Sequence, residues 1–209
     1  TVDLKVQDDL TVTDDASIGG DAAVTGALTG GTVNGLGIAY NITNFSQGIL
    51  ISNDAGTGTL DSASNNTGLG FEVFDDLTSG DQNTGVGVQA LTKVTTGSNN
   101  NAFGETALFT NTTGSNNVAM GRAALESNTT ADNNTAIGHQ ALKANSTGTT
   151  NVAVGSSALL ANTTASQNVA VGNSALAANT TGTGNTAVGF ATLDANTTAN
   201  NNTAVDYNT

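Results

Sequence analysis

His139 is the single histidine of the chain, and Gln140 follows it. With Glu126 on the N-terminal side, it invites a reading as a general acid–base group. That reading needs a nucleophile. The chain has no cysteine, and no serine stands in a recognised nucleophile elbow. A glycan-cleaving enzyme would instead need paired carboxylates. Glu105 and Glu126 are the nearest pair, at unlike positions in the sequence pattern described below. We therefore expect no catalytic residue and no enzyme. One histidine and no cysteine also exclude a His-cluster or thiolate metal site within one chain. Asp8, Asp9, Asp14 and Asp15 could offer oxygen ligands to calcium. They have neither EF-hand spacing nor the Gly-Gly-x-Gly-x-Asp nonapeptide, and they read as exposed turns. No metal and no cofactor is expected. Asn111, Asn128, Asn162, Asn179 and Asn196 open Asn-Thr-Thr triplets, and Asn145 opens Asn-Ser-Thr. All match the N-glycosylation sequon. Their regular recurrence is explained by turn chemistry, with Asn in the left-handed region and Thr hydroxyls capping the turn. Stacked Thr pairs such as Thr112–Thr113 and Thr163–Thr164 are also the array an ice-binding face would need, a reading that depends on side-chain orientation.

What must position these residues is a repeat. Glycine recurs every 17 residues at Gly70, Gly87, Gly104, Gly121, Gly138, Gly155, Gly172 and Gly189, and Asp206 holds the next place. An asparagine lies four residues before each, from Asn66 to Asn202, with no insertion or deletion. One unit runs from Asn151 to Gln167, and its Asn is counted here as position 1. Position 4 is bulky and apolar throughout: Leu69, Val86, Phe103, Met120, Ile137, Val154, Val171, Val188 and Val205. Position 3 is always Gly or Ala, and position 2 is mostly Thr or Val. This alternation with β-branched enrichment reads as a short strand. Position 9 is Phe74 and then Leu, usually after Ala, and marks a second apolar segment. Helix is excluded by the weight of Asn, Thr and Gly. The expected fold is all-β: a β-solenoid of 17-residue coils, stacked at ~4.8 Å into a rod roughly 40 Å long. Position 1 should form an amide ladder. Glycine should stand where the chain turns sharply or another backbone comes close. The bulky residue at position 4 is expected to make the repeated internal contact, with Val154 inside the stack and Ser156 outside it.

Residues 3–28 follow another period. Asp3, Asp9, Asp15 and Asp21 are six apart, as are Val6, Val12, Ile18 and Val24. The expected organisation is a β-structured hexad shaft over 1–30, a connector over 31–64, and a β-roll over 65–209. Charge divides similarly. Residues 1–82 hold twelve acids and one base, net −11; residues 83–209 hold five acids and three bases, net −2. Four basic residues in all give no footprint for nucleic acid. No apolar run of about 20 residues is present, so no membrane insertion is expected. The chain begins with Thr and shows no signal peptide, which suggests a processed or excised piece.

The motif N-x-A-[VI]-G-x-x-A-L, with N-T-T-G between copies, resembles the head repeats of YadA-like trimeric adhesins and similar runs in bacteriophage tail fibres. It covers residues 66–205. The stretch from Asp9 to Thr29 is similar to the shafts of phage tail fibres. The resemblance implies a left-handed parallel β-roll and a homotrimer. It implies a structural fibre protein of a phage tail, in the virion, taking part in host attachment. A host cell-surface glycan or protein receptor and other virion tail proteins would be its partners. The alternative is the head domain of a bacterial trimeric autotransporter adhesin, at the bacterial cell surface. Thin coils point to a trimer independently, because a lone roll has little core and both segments would gain by sharing apolar stripes around an axis.

Two columns of the repeat vary freely. Position 6 carries Phe71, Val88, Glu105, Arg122, His139, Ser156, Asn173 and Phe190, the candidate exposed binding stripe. Position 10 carries Asp75, Thr92, Phe109, Glu126, Lys143, Leu160, Ala177 and Asp194.

Overall fold

A computed structural model describes residues 62–208 throughout and, before them, the backbone of the strands at 32–33, 36–42 and 45–52. The hexad segment lies outside the described residues. The described chain is all-β and has no helix. Strand β5 (Thr67–Leu69) and its counterparts every 17 residues, ending at β13 (Thr203–Val205), pair parallel each with the next. Ala153, for example, sits level with Ala136 and Ala170. The result is a β-solenoid of eight complete coils and the start of a ninth, one three-residue strand per coil, the remainder turns.

The connector is part of the same sheet. Strand β1 (Thr32–Val33) pairs antiparallel with β2 (Leu36–Ile42), and β2 pairs antiparallel with β3 (Phe45–Ser52). Strand β3 then lies parallel to β5, with Ile51 level with Leu69. It also pairs with β4 (Ala63–Ser64). This hairpin continues the sheet across the N-terminal end of the roll, where solenoids need a cap.

The strand faces are opposite to the sequence expectation. Position 3 points inward, and Ala102, Ala119, Ala136, Ala153, Ala170 and Ala187 are fully buried. Position 4 points outward: Phe103, Met120 and Ile137 are about two-fifths exposed, and Val154 is half-buried. The repeated internal contact is instead Leu at position 9, with Leu91, Leu108, Leu125, Leu142, Leu159 and Leu176 all at 0% exposure. The physical reason is the narrow coil. One large side chain fills its cross-section, so the strand opposite must present Ala or Gly. The first coils show the same trade. Val73 replaces Ala at position 8, and a Cβ on Gly85 would lie 2.8 Å from its Cγ1.

Leu159 reaches the interior from a left-handed backbone, φ 52°. So do the other position-9 leucines, and positions 7 and 17 also have positive φ, for example Ser157 (58°) and Gln167 (62°). The Asn-Thr-Thr asparagines do not, which corrects the turn assignment made for them. A left-handed L-residue costs about 1–2 kcal/mol, and burying the leucine offsets it with about 1.5–3 kcal/mol. Glycine is required at position 5. Its φ lies between 131° and 143° from Gly70 to Gly189, a region only glycine enters freely. A Cβ on Gly104 would stand 2.6 Å from the carbonyl of Gly121 in the next coil.

Side chains stitch the coils as thoroughly as the strands do. The Oδ1 of Asn151 accepts the main-chain N–H of Asn168 at 3.0 Å. Its Nδ2 donates to Ala165 O (2.9 Å) and to Asn134 Oδ1 (3.2 Å). A second ladder runs through position 12. Asn162 Nδ2 donates to Asn145 Oδ1 (2.9 Å) and to the same Ala165 O (3.0 Å). The position-15 carbonyl thus joins both buried ladders. In the first two coils position 12 is Leu77 and Val94, buried and apolar, so the second ladder starts at Asn111. A third ladder uses position 16, where a short oxygen-bearing side chain accepts the N–H of the previous coil: Ser115 N–H to Asp132 Oδ1 (2.7 Å), Thr149 N–H to Ser166 Oγ (3.0 Å).

Leu159→Ala is expected to destabilise by about 2–5 kcal/mol, and Leu160→Ala, half-buried one residue on, by clearly less. Urea unfolding midpoints compare the two. Asn151→Asp replaces the buried donor to Ala165 O by a carboxylate. A buried acid has its pKa raised, so the protonated side chain still donates at low pH and the deficit opens as pH rises above about 4. Thermal melts of this variant and the parent should converge at pH 3–4 and separate by several degrees at pH 7.

Candidate functional site

The position-6 stripe forms one column along the rod. Phe71, Val88 and Phe190 are exposed, as are His139 and Asn173, while Ser156 is half-buried. On the third to fifth coils three polar side chains touch in series. Arg122 Nε lies 3.2 Å from Glu105 Oε2, and Arg122 Nη1 lies 3.4 Å from His139 Nε2. The second contact is a hydrogen bond only when that imidazole nitrogen carries no proton. The Glu105 and Arg122 side chains are more than half exposed, where an ion pair contributes about 0–1 kcal/mol.

The position-10 column is less free than the sequence suggests. Thr92 is buried, and its hydroxyl donates to Glu72 O at 2.8 Å. Glu126 pairs with Lys143 at 3.2 Å. The Oε2 atom involved is itself buried and makes no hydrogen bond, so the contact is an ion pair by distance alone. One column further, Lys93 lies 3.4 Å from Asp76. Glu105 and Glu126 therefore each answer a different cation, and neither is paired with the other or with His139 by any bond in this array. Among the described residues no group of three or more His, Cys, Asp or Glu gathers closely enough to hold a metal ion. Asp8, Asp9, Asp14 and Asp15 lie outside the described residues. No helix among the described residues is long and apolar enough to cross a membrane.

Two sequence patterns change meaning. The sequon asparagines Asn128, Asn145, Asn162 and Asn179 are fully buried, and each amide donates to the preceding ladder oxygen and to a position-15 carbonyl. Asn111 is equally buried, whereas Asn196 is half-buried. A glycan on Asn128 to Asn179 would have to displace the ladder. In the Thr pairs the first hydroxyl donates to the carbonyl one coil on, as from Thr112 to Thr129 O at 3.0 Å. Only the second, such as Thr113 or Thr164, faces solvent. The ladder at position 16 was not foreseen, though its signal was present: Asp81, Ser98, Ser115, Asp132, Thr149, Ser166, Thr183 and Asn200 all carry a short side-chain oxygen.

A further surface feature is the outer strand face, where Leu69, Phe103, Met120, Ile137 and Val205 are exposed. Position 4 forms a column from Leu69 to Val205, beside the position-2 column of Thr, Val and Asn101, and no residue in either column is charged. In the backbone register of the hairpin, Ile51 lies level with Leu69 and Ile38 pairs with Ile51. Comparison with protein-family models, curated proteins and solved structures finds no match to the chain.

Arg122→Ala removes both contacts of the charged column. It is expected to change unfolding free energy by less than about 1 kcal/mol, measured by urea titration, because the column lies on the surface and supports no buried group.

Proposed function

We propose that the chain is a structural fibre protein that works as a parallel homotrimer, a bacteriophage tail fibre taking part in host attachment. The observation that carries this reading is the uncharged outer strand face. In a chain of net charge −13, the strand of each coil places its position-4 side chain (Leu69, then Val, Phe, Met or Ile) outside in one column and its position-3 Ala or Gly inside. Contiguous exposed apolar surface of this kind marks a partner contact. A second copy fits it well. Both sides are then uncharged, flat and periodic at the same ~4.8 Å step, so like charges are not forced together. Three copies around an axis parallel to the rod would cover each face and leave the turn columns outside. There Phe71, Glu105, Arg122, His139 and Phe190 would be available to a host cell-surface glycan or protein. The chain acts by binding and by bearing load, without turnover. Its place is the virion tail, joined to other tail proteins.

Val154→Asp puts a charge on the shared face and leaves the coil interior untouched. The variant is expected to keep its far-ultraviolet circular dichroism yet sediment as a monomer at micromolar concentration, while Thr164→Asp, on an exposed turn, stays trimeric. A parent chain that sediments as a monomer over a hundredfold dilution removes the trimer. Antibody labelling in electron micrographs that finds the chain on a cell surface and not on virions removes the tail-fibre assignment.

A further inference from the structure

The ninth coil departs from the repeat at several places that meet at one point. We infer that Asp206 closes the roll at this end: the coil that opens at Asn202 is the last that can stack with the 17-residue geometry, and the end face accepts neither a further coil nor a coil of another copy.

The argument starts from the glycine column. From Gly70 to Gly189 position 5 has a φ of 131–143°, and its missing Cβ leaves the space into which the next coil's carbonyl fits. On Gly87 a Cβ would stand 2.6 Å from Gly104 O, and on Gly138 it would stand 2.6 Å from the carbonyl carbon of Gly155. Real contacts of this kind do not occur, and the atom in the way is backbone, which cannot swing aside. Asp206 has a Cβ, and it is not among the residues with positive φ. Towards the eighth coil it is regular: its N–H donates to Val188 O at 3.0 Å, and Asn208 N–H donates to Phe190 O at 2.8 Å. At position 5 a non-glycine residue cannot take the φ of 131–143° shared by the other coils without strain, so the seat into which a further coil's carbonyl would fit is lost.

The neighbours of Asp206 are altered to suit. Thr192 stands at position 8, where six coils have Ala. Its buried hydroxyl donates to the main-chain carbonyl of Asp206. The Asp206 carboxylate accepts the N–H of Tyr207 at 2.7 Å and so turns along its own chain. Tyr207 stacks on Phe190, ring centroids 5.0 Å apart and planes at 17°. Elsewhere position 6 holds no such aromatic pair. An unpaired parallel edge is a template for association, and a residue that cannot take the position-5 backbone geometry is a means of closing it. The hairpin of β1 to β3 occupies the opposite end of the sheet. Growth of the assembly along this sheet is thus blocked at Asp206, and contacts with other copies are left to the sides of the rod.

The test extends the chain. Residues 158–184 are appended after Asn208, which completes a ninth coil and supplies a tenth in register, in the parent and in Asp206→Gly. Amide hydrogen exchange is read over the appended segment. With Asp206 the appended amides should exchange as in an unfolded peptide. With Asp206→Gly they should slow by about a hundredfold or more, as stacked coils do. Protection behind an intact Asp206 overturns the inference. So does lack of protection in both chains, because Asp206 would then not be the barrier.

Discussion

The side-chain oxygen of Asn66 accepts the main-chain N–H of Asn83, and each asparagine 17 residues further repeats the bond to the coil beyond it. These asparagines are buried from Asn66 to Asn185, and so is the amide donor on the same side chain. A buried amide left without partners costs about 1–3 kcal/mol. One inserted residue would move every later asparagine out of line and strand its partners as well. The strict spacing of the repeat follows from this. Strand pairing alone would tolerate variation in the turns, since three residues per coil are enough to hold a register.

Given that ladder, the remaining positions are settled by space. The two asparagine columns occupy one side of the interior, and the position-15 carbonyl that both reach lies between them. What is left holds one leucine per coil. The leucine reaches it from a left-handed backbone, and Thr106 and Thr150, β-branched residues at φ 55–56°, show that such conformations are imposed by the turn and not chosen by the side chain. The strain is repeated in every coil and is carried by the bonds between coils. A single coil would therefore not persist alone, and stability must build up by stacking.

Much of this was legible, and the limits were physical. Period, strand position, the absence of helix, the first amide ladder and the need for glycine follow from spacing and residue type. Which strand face is inside did not follow. Alternation of Ala with Val shows that two faces differ, and general hydrophobicity assigns the larger residue to the core. The core here is too narrow for a large residue on both walls, and only the three-dimensional path of position 9 reveals that. Leucine at positive φ has no sequence signature, because leucine is among the residues least expected there. Position 12 was misread for a related reason: Asn next to Thr is common in turns, and only its column shows that the amide faces inward. The charged column at Glu105, Arg122 and His139 was visible as a variable stripe, but its contacts depend on a coil step that sequence spacing alone does not measure.

The strand of each coil keeps its small residue inside and its large one outside, while the position-9 side chain fills the interior. In an ordinary domain, moving Val and Phe from surface to core gains about 1.5–3 kcal/mol each. At position 4 the same gain would come from the proposed contact between copies, since the strand wall facing position 9 takes only Ala or Gly. Intramolecular order comes chiefly from hydrogen bonds, which are directional and fix length. Apolar burial within the coil rests on the position-9 side chain and the small residues facing it, and the proposed lateral contact would add apolar burial with every coil. This division suits a rod that makes the proposed contacts along its length. Its face repeats without charge from Leu69 to Val205, so each further coil would add an equivalent contact to the proposed trimer. The features that do not repeat — Phe71, the Glu105–Arg122–His139 series, Phe190 with Tyr207 — lie outside the strand columns, where departures from the pattern cost the stack nothing.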